Sequence, residues 1–267
     1  MNKIIRSGKP IPGASRRSVL RGALAGVGTV ALAGCDRLSN TPAFVDVLKS
    51  VQHLSNAAHK VVAGRRAMAQ EFSPADVAAH FRSNGTLMPA DADYQALLKG
   101  RFNDWKLQVS GLVEKPAAFT LAELRAMPSR TQITRHDCVE GWSSIGKWKG
   151  VQLSQVLAQA KPLPSAKYVV FRCADSMDDL AGADSKYYES VDLDDAFHVQ
   201  TLLAYELNDK PLPVANGAPL RARIERQLGY KHAKYVMRIE LVESFAALRG
   251  GGGGYWEDNG YEWYAGI

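Results

Sequence analysis

Thr131-Gln132-Ile133-Thr134-Arg135-His136-Asp137-Cys138-Val139-Glu140-Gly141-Trp142-Ser143 runs a strand-like start, Thr131 to Thr134, into a cysteine crowded by charged and polar side chains. A cysteine that merely fills a core keeps apolar company. This neighbourhood instead predicts a site where a thiolate is stabilised. Two plainer readings stand beside it: a disulfide with Cys173, or two small buried residues.

Outward from this stretch, elements of both kinds follow irregularly. Trp105 to Val109 alternates apolar and polar residues as a half-buried strand does, with Gly111 and Pro116 punctuating its end. Thr120-Leu121-Ala122-Glu123 has capping-box spacing for a short helix. Further strands are predicted at Tyr168 to Arg172, Leu202 to Leu207 and Lys234 to Val242. Helical patterns fall around Leu153 to Leu157 and Asp194 to Phe197. Strands and helices do not alternate as βαβ units, so the expected class is α+β, mixed β-sheets with short helices. Upstream, Ser73-Pro74-Ala75-Asp76 predicts an N-cap and a helix to about Phe81. Phe44, Val47, Leu48, Val51, Leu54, Ala58 and Val61 recur at the spacing of an amphipathic helix. His53 and His59 within it lie six apart and share no helix face well enough for a metal.

The 267 residues are 46% hydrophobic and 22% charged. That mixture excludes collagen-like, wholly disordered and multi-span membrane classes, and the absence of a repeat of roughly 20 to 50 residues excludes solenoids and propellers. The net charge of +6 comes entirely from Lys3, Arg6, Lys9, Arg16, Arg17 and Arg21, since residues 1–34 contain no Asp or Glu. The remaining chain is formally neutral, so no nucleic-acid partner is expected.

Arg16-Arg17 precedes an uncharged stretch from Gly22 to Gly34, the layout of a twin-arginine signal peptide and too short to span a bilayer. Leu32-Ala33-Gly34-Cys35 resembles a lipobox, and Asp36 follows it. These features predict export with Cys35 lipidated at the outer face of the cytoplasmic membrane, against the plainer reading of a cleaved signal. At the other end, the glycines from Gly250 to Gly254 predict a flexible or closely approaching loop. Tyr255, Trp256, Tyr261, Trp263 and Tyr264 then predict a tail that folds back and packs.

Cys138-Val139-Glu140-Gly141-Trp142-Ser143 and Trp148-Lys149-Gly150-Val151-Gln152-Leu153 resemble the centre of the sulfite oxidase superfamily of molybdopterin enzymes. The likeness is greatest to small exported catalytic subunits of the methionine sulfoxide reductase type. It extends through Tyr188-Glu189-Ser190-Val191 and Asn216-Gly217-Ala218-Pro219-Leu220-Arg221. The organisation it implies is a signal peptide with lipobox at 1–34, an N-terminal helical extension at 35–80, a molybdopterin-binding domain at 81–245, and a glycine-rich loop with aromatic tail at 246–267.

The resemblance implies a molybdenum cofactor with one pyranopterin dithiolene, its metal held by Cys138 as the single protein ligand. A soft thiolate suits a sulfur-rich metal. It further implies cofactor contacts from Asn84, Gly85 and Thr86, from Asn216 and Arg221, and from His232, Ala233 and Lys234. Cys173 falls where relatives carry a small hydroxyl residue, so it could line the pocket or form an inactivating disulfide with Cys138. Arg221, Arg223, Arg226, Lys231 and Lys234 concentrate charge suited to an anion; read without the resemblance, they suggest a solvated basic hairpin. His198 reads as an interior histidine satisfied by a hydrogen bond.

The implied activity is two-electron oxygen-atom transfer on a small oxo donor or acceptor. Sulfite enzymes follow the ligand cysteine with an Arg-bearing segment, whereas Glu140 and Trp142 here would favour a neutral substrate if they face the pocket, the other reading being that they orient Cys138 from behind; reduction of a sulfoxide or similar small oxide is the first expectation. Arg135 and Arg172 keep sulfite dehydrogenation as the alternative. A metal-free binding or assembly lipoprotein is the alternative of another class. The chain has no Cys-x-x-Cys-His haem pattern, which implies a separate redox partner, a membrane b-type cytochrome, and a monomer is the simpler expectation.

Overall fold

The computed structural model describes residues 67–177 and 185–267, together with Thr41, Phe44, Val51, Leu54, Ala57, Ala58 and Gly64. The signal peptide, the lipobox, His53 and His59 lie outside the described residues. The chain divides into Met1–Ser55 and Asn56–Ile267. In the first unit Phe44, Val51 and Leu54 are helical, at positions the apolar spacing assigns to a helix.

The second unit is α+β, as expected. One sheet has the order β2-β1-β10-β5-β6, formed by β1 (Lys106–Gly111), β2 (Ala117–Thr120), β5 (Tyr168–Ser176), β6 (Lys186–Asp192) and β10 (Val236–Val242). It is mixed, because β1 runs parallel to β10 while every other pair is antiparallel. The second sheet is antiparallel, β3 (Ser129–Cys138), β4 (Trp142–Gln152), β7 (Leu202–Leu207) and β8 (Lys210–Pro211), with β9 (Arg221–Arg223) on β7. Five short helices accompany them among the described residues: α1 (Ala92–Lys99), α2 (Leu121–Ala126), α3 (Leu153–Ala160), α4 (Leu193–Ala196) and α5 (Tyr255–Asp258).

The sequence signals work where local chemistry decides. Thr120 caps α2 through a capping box, its hydroxyl accepting from the Glu123 N–H at 3.2 Å. Leu153, Val156, Leu157 and Ala160 bury one face of α3 in a core shared with Leu107 and Val109 of β1 and Ile239 and Leu241 of β10. In β4, a Cβ on Gly150 would lie 2.2 Å from the Leu203 carbonyl oxygen, where the β4–β7 register shifts. Glycine is what lets the two backbones close there.

The region before Phe81 departs from the expectation. Pro74–Asp76 forms one 3-10 turn instead of a helix to Phe81, because the Asp76 carboxylate accepts from both the N–H and the hydroxyl of Ser73 and closes the turn at once. Val77 leaves in extended conformation, and the Ala78 N–H bonds the Ile145 carbonyl at 2.9 Å. Glu71 bridges Thr134. The described part of the segment expected to be a helical extension, residues 67–80, is therefore irregular apart from that turn, and it is tied to β3 and β4 by the Glu71–Thr134 bridge and by the Phe72 and Ala78 N–H bonds to the Ile133 and Ile145 carbonyls.

The glycine run is a close approach. A Cβ on Gly254 would meet Glu257 Oε2 at 2.1 Å, and one on Gly252 would meet the Glu257 carbonyl carbon at 2.7 Å. Beneath it Lys231, wholly buried, donates to Glu189 Oε1 at 2.5 Å and to Glu257 Oε1 at 2.6 Å. The second oxygens of both carboxyls accept from no donor among the described residues, and Glu189 is held well above the usual carboxylate range, first by burial and then by the charge of Glu257. A proton kept on Glu189 and directed at Glu257 satisfies this arrangement.

Glu189→Gln keeps a donor toward Glu257 and an acceptor for Lys231, and should cost within about 1 kcal/mol. Lys231→Met leaves buried carboxylates uncompensated and should cost roughly 3 kcal/mol or more. Chemical denaturation of the two variants reads the difference, and equal losses would contradict the protonated-Glu189 clamp.

Candidate functional site

β3 and β4 form a hairpin whose turn follows Cys138. The Gly141 N–H bonds the Cys138 carbonyl at 3.0 Å, with Gly141 at φ +84°, a left-handed conformation suited to glycine. The turn sets Cys138 half-buried at one side of a cleft of about 220 Å³. Asn84, Gly85 and Thr86 from the loop after Phe81, Asp175 and Met177 at the end of β5, and Gly229, Tyr230, His232 and Lys234 complete most of the wall. Tyr187, Trp256 and Tyr261 add aromatic surface, and Val139 and Glu140 stand beside the cysteine.

Of the residues expected to touch a cofactor, Asn84, Gly85, Thr86, Cys138, His232 and Lys234 line this cleft. Asn216 and Arg221 lie buried behind Asn84: Arg221 donates to Asn84 Oδ1 at 3.3 Å and to the Asn216 carbonyl at 3.2 Å. Ala233 is buried, its carbonyl accepting from the Ala222 N–H at 2.8 Å. Cys173 is buried on β5 opposite Val236 and does not line the cleft. Both cysteines are free thiols, so the disulfide reading is not realised. His198 is buried, its Nδ1 accepting from the Gln200 N–H at 3.3 Å.

The basic run from Arg221 to Lys234 is not a solvated hairpin. Arg221, Arg223 and Lys231 are fully buried and Lys234 is 6% exposed. Arg223 pairs with Glu225 at 2.7 Å, Lys231 with Glu189 and Glu257, and Arg226 with Asp195. Arg221 and Lys234 make no ion pair with a carboxylate among the described residues. Lys234 donates instead to the carbonyls of Asn84 at 2.6 Å, Ala215 at 3.0 Å and Thr86. Burial lowers Arg221 to about 9, with neighbouring Arg223 adding to the effect. Burial, then Arg221, lowers Lys234 to about 7. Asp175, on the same cleft, offsets part of the Lys234 charge without a direct ion pair, and the two buried cations together still suit this region to an anion.

Unsatisfied atoms gather at the same place. Asn216 Nδ2 and Arg221 Nε are buried donors without a partner, and Asp175 Oδ1 and His232 Nδ1 are buried without one. His232 Nε2 lies 3.0 Å from the Gln227 carbonyl, which assigns the proton to Nε2 and leaves Nδ1 an acceptor. Burial and the adjacent arginines keep His232 neutral. Asp175 is raised to about 6, mainly by burial. Such orphans are uncommon in a finished interior. A phosphate-bearing heterocycle with donor and acceptor edges fits them.

The thiolate expectation needs correcting. Burial raises the Cys138 thiol above its ordinary value and the Glu140 charge adds to this, outweighing the Glu140 N–H, Arg221 and Arg82. The protein alone does not stabilise the thiolate, whereas a bound metal would. Among the described residues, no cluster of three or more His, Cys, Asp and Glu could hold a metal ion.

Sequence reasoning missed Asp175, Met177, Tyr187 and Tyr230 as cleft residues, and took the tail aromatics only as packing. It also missed the support under the hairpin. Arg223 donates to His136 Nδ1 at 3.0 Å, His136 meets His232 edge-on at 5.0 Å between ring centroids, and the Arg223 guanidinium sits 4.4 Å from the Trp148 ring centroid. Gly229 has no room for a Cβ, which would come 2.6 Å from the His136 ring. Arg135 pairs with Asp137 at 2.8 Å and Arg172 with Glu240 at 3.0 Å, and neither lines the cleft. Glu140 lines the cleft, its carboxylate accepting from Trp142 Nε1 at 2.9 Å, while Trp142 itself does not line it.

Residues 95–247 match the family model of the oxidoreductase molybdopterin binding domain, and the chain belongs to that family. Over 162 residues it is 43% identical to a protein of Azospira oryzae provisionally named a protein-methionine-sulfoxide reductase subunit, YedZ1, covering 61% of this chain and 56% of that one. Over 149 residues it is 38% identical to the protein-methionine-sulfoxide reductase catalytic subunit MsrP of Xanthomonas campestris, covering 54% of this chain and 46% of that one. The chain thus spans about half the length of the curated relatives it matches. Among solved structures, the sulfane dehydrogenase SoxCD of Paracoccus pantotrophus matches with a TM-score of 0.47 and 25% identity, over 53% of this chain and 39% of that one.

Because Lys234 carries its charge only below about 7, a dianion that does not itself titrate near neutrality should bind the cofactor-free cleft more tightly at pH 6 than at pH 8.5. Calorimetric titration with sulfate reads this, and equal affinity at the two values would place the Lys234 charge away from the anion.

Proposed function

We propose that the protein is an exported oxidoreductase that takes a molybdenum–molybdopterin cofactor in the Cys138 cleft and reduces a sulfoxide or similar small oxide. One observation carries this reading: the Cys138 thiol, the buried cations Arg221 and Lys234 that no carboxylate pairs directly, and a set of unpaired donors and acceptors lie on or directly behind the wall of one cleft. When bound, the cofactor supplies two-electron oxygen-atom transfer, chemistry that no side chain here provides.

Cys138 would be the one protein ligand to the metal. Arg221, Asn84 and Asn216 would hold the phosphate end through charge-assisted bonds, while Asp175 and the neutral His232 would meet the heterocycle edge. Lys234 fixes the 84–86 loop through three carbonyls and adds positive charge. Tyr187, Tyr230 and Trp256 add aromatic surface to the same cleft, and an apolar wall there would strengthen each of these interactions.

A neutral oxide is favoured over a sulfite dianion by the charges nearest the thiol. The two arginines that would recommend a sulfite dianion, Arg135 and Arg172, are each engaged by a carboxylate outside the cleft, while Glu140 brings a negative charge into it. The names of the methionine sulfoxide reductase relatives point the same way, and make an oxidised methionine side chain the first substrate to try. Their naming as subunits supports a separate electron partner, for which a membrane b-type cytochrome is proposed. No helix among the described residues is long and apolar enough to cross a membrane. Attachment through a lipidated Cys35 on the periplasmic side, as a monomer, completes the proposal.

Cys138→Ser should keep the fold and most of the pterin while abolishing turnover, read by cofactor fluorescence and a reduced-dye assay; unchanged activity would sink the ligand assignment. Arg221→Ala should lower molybdenum and pterin per polypeptide, and full occupancy would contradict its role. Folded protein from a cofactor-competent host that holds no molybdenum would favour the metal-free binding lipoprotein. Turnover of sulfite but of no sulfoxide would favour the dehydrogenase.

A further inference from the structure

Part of the cleft wall comes from beyond the family match, which ends at residue 247. Trp256 on α5 and Tyr261 just after it line the cleft with ring centroids 5.3 Å apart. Tyr261 in turn meets Tyr230, another lining residue, edge-on at 5.3 Å. The Tyr261 N–H bonds the Trp256 carbonyl at 2.9 Å, so the two residues belong to one turn.

That turn is fixed from three sides. Glu257, next to Trp256, is held by buried Lys231. Asp258 accepts from Tyr188 Oη at 2.5 Å and from the Gly252 N–H at 2.8 Å. Trp263 Nε1 donates to Ser190 Oγ at 2.9 Å. The glycine run has no space for side chains, which lets the segment lie this close. A rigid aromatic wall contacts an apolar group at little conformational cost. Beside the Cys138 thiol, Glu140 adds a negative charge, which disfavours an anionic substrate at that point of the cleft.

We propose that Trp256 and Tyr261 are specificity-determining residues that seat the organic substituent of an uncharged oxide substrate. The inference rests on the sulfoxide-reductase reading and deepens it. In the assay the S=O bond breaks, the sulfide is released, and the oxygen leaves as water with two protons and two electrons from reduced benzyl viologen.

The test compares methyl p-tolyl sulfoxide with dimethyl sulfoxide on the molybdenum-loaded enzyme. Trp256→Ala should raise KM for the aryl sulfoxide roughly tenfold and for dimethyl sulfoxide by no more than about threefold, the value of an aromatic contact, with the loss on KM rather than kcat. Trp256→Phe should recover most of the loss. Tyr261→Ala, at a position 41% exposed, carries the same comparison if Trp256→Ala fails to fold. Equal losses on both substrates would overturn the wall while leaving the reductase reading intact. If the wild-type enzyme reduces neither sulfoxide, the reductase reading fails, and calorimetric binding of methyl p-tolyl sulfoxide decides the wall by itself. Affinity reduced about tenfold by Trp256→Ala supports it; absent or unaltered binding overturns it.

Discussion

Two buried cations that no carboxylate pairs directly among the described residues, Arg221 and Lys234, organise this structure, with the Asp175 charge acting on Lys234 from across the same cleft. Each is anchored by neutral partners: Arg221 on Asn84 and the Asn216 carbonyl, Lys234 on three backbone carbonyls. Those bonds bring the 84–86 loop, the turn around Asn216 and the start of β10 to one place. A bare buried charge is costly, and its retention makes sense where an anion arrives to share the site. The neighbouring cations are paired, Arg223 with Glu225 and Lys231 with Glu189 and Glu257, which sets Arg221 and Lys234 apart from them.

The Cys138 hairpin presents the complementary half of the chemistry. Its thiol is held above its ordinary value, mainly by burial, and a bound metal cation would favour the thiolate. The cleft therefore brings an anion receptor and a thiol suited to a metal within reach of one another. A phosphate-bearing metal cofactor joins the two requirements in one molecule, and membership of the molybdopterin-binding family names its class.

Much of the fold was legible from local signals. The Thr120 capping box, the apolar face of Leu153 to Ala160 and the alternation before Gly111 each mark their element, because the deciding interactions lie within a few residues. The helix expected to run to Phe81 fails because the Ser73–Asp76 bonds complete a turn and strand-edge pairing then takes the chain. Six of the ten expected cofactor residues line one cleft. The burial of the basic run was not legible, since its carboxylate partners Glu189 and Asp195 stand 42 and 31 residues away in sequence. The aromatic tail read correctly as packing, but its part in the cleft depends on the clamp at Lys231, which no local pattern encodes.

The central claim is that Cys138 binds a molybdenum atom whose cofactor is held by the buried cations. X-ray absorption at the molybdenum edge of protein loaded near stoichiometry tests it most directly. The account predicts one sulfur neighbour from the protein in addition to the two of the dithiolene, with that one sulfur lost in Cys138→Ser. An identical sulfur shell in wild type and variant would contradict it.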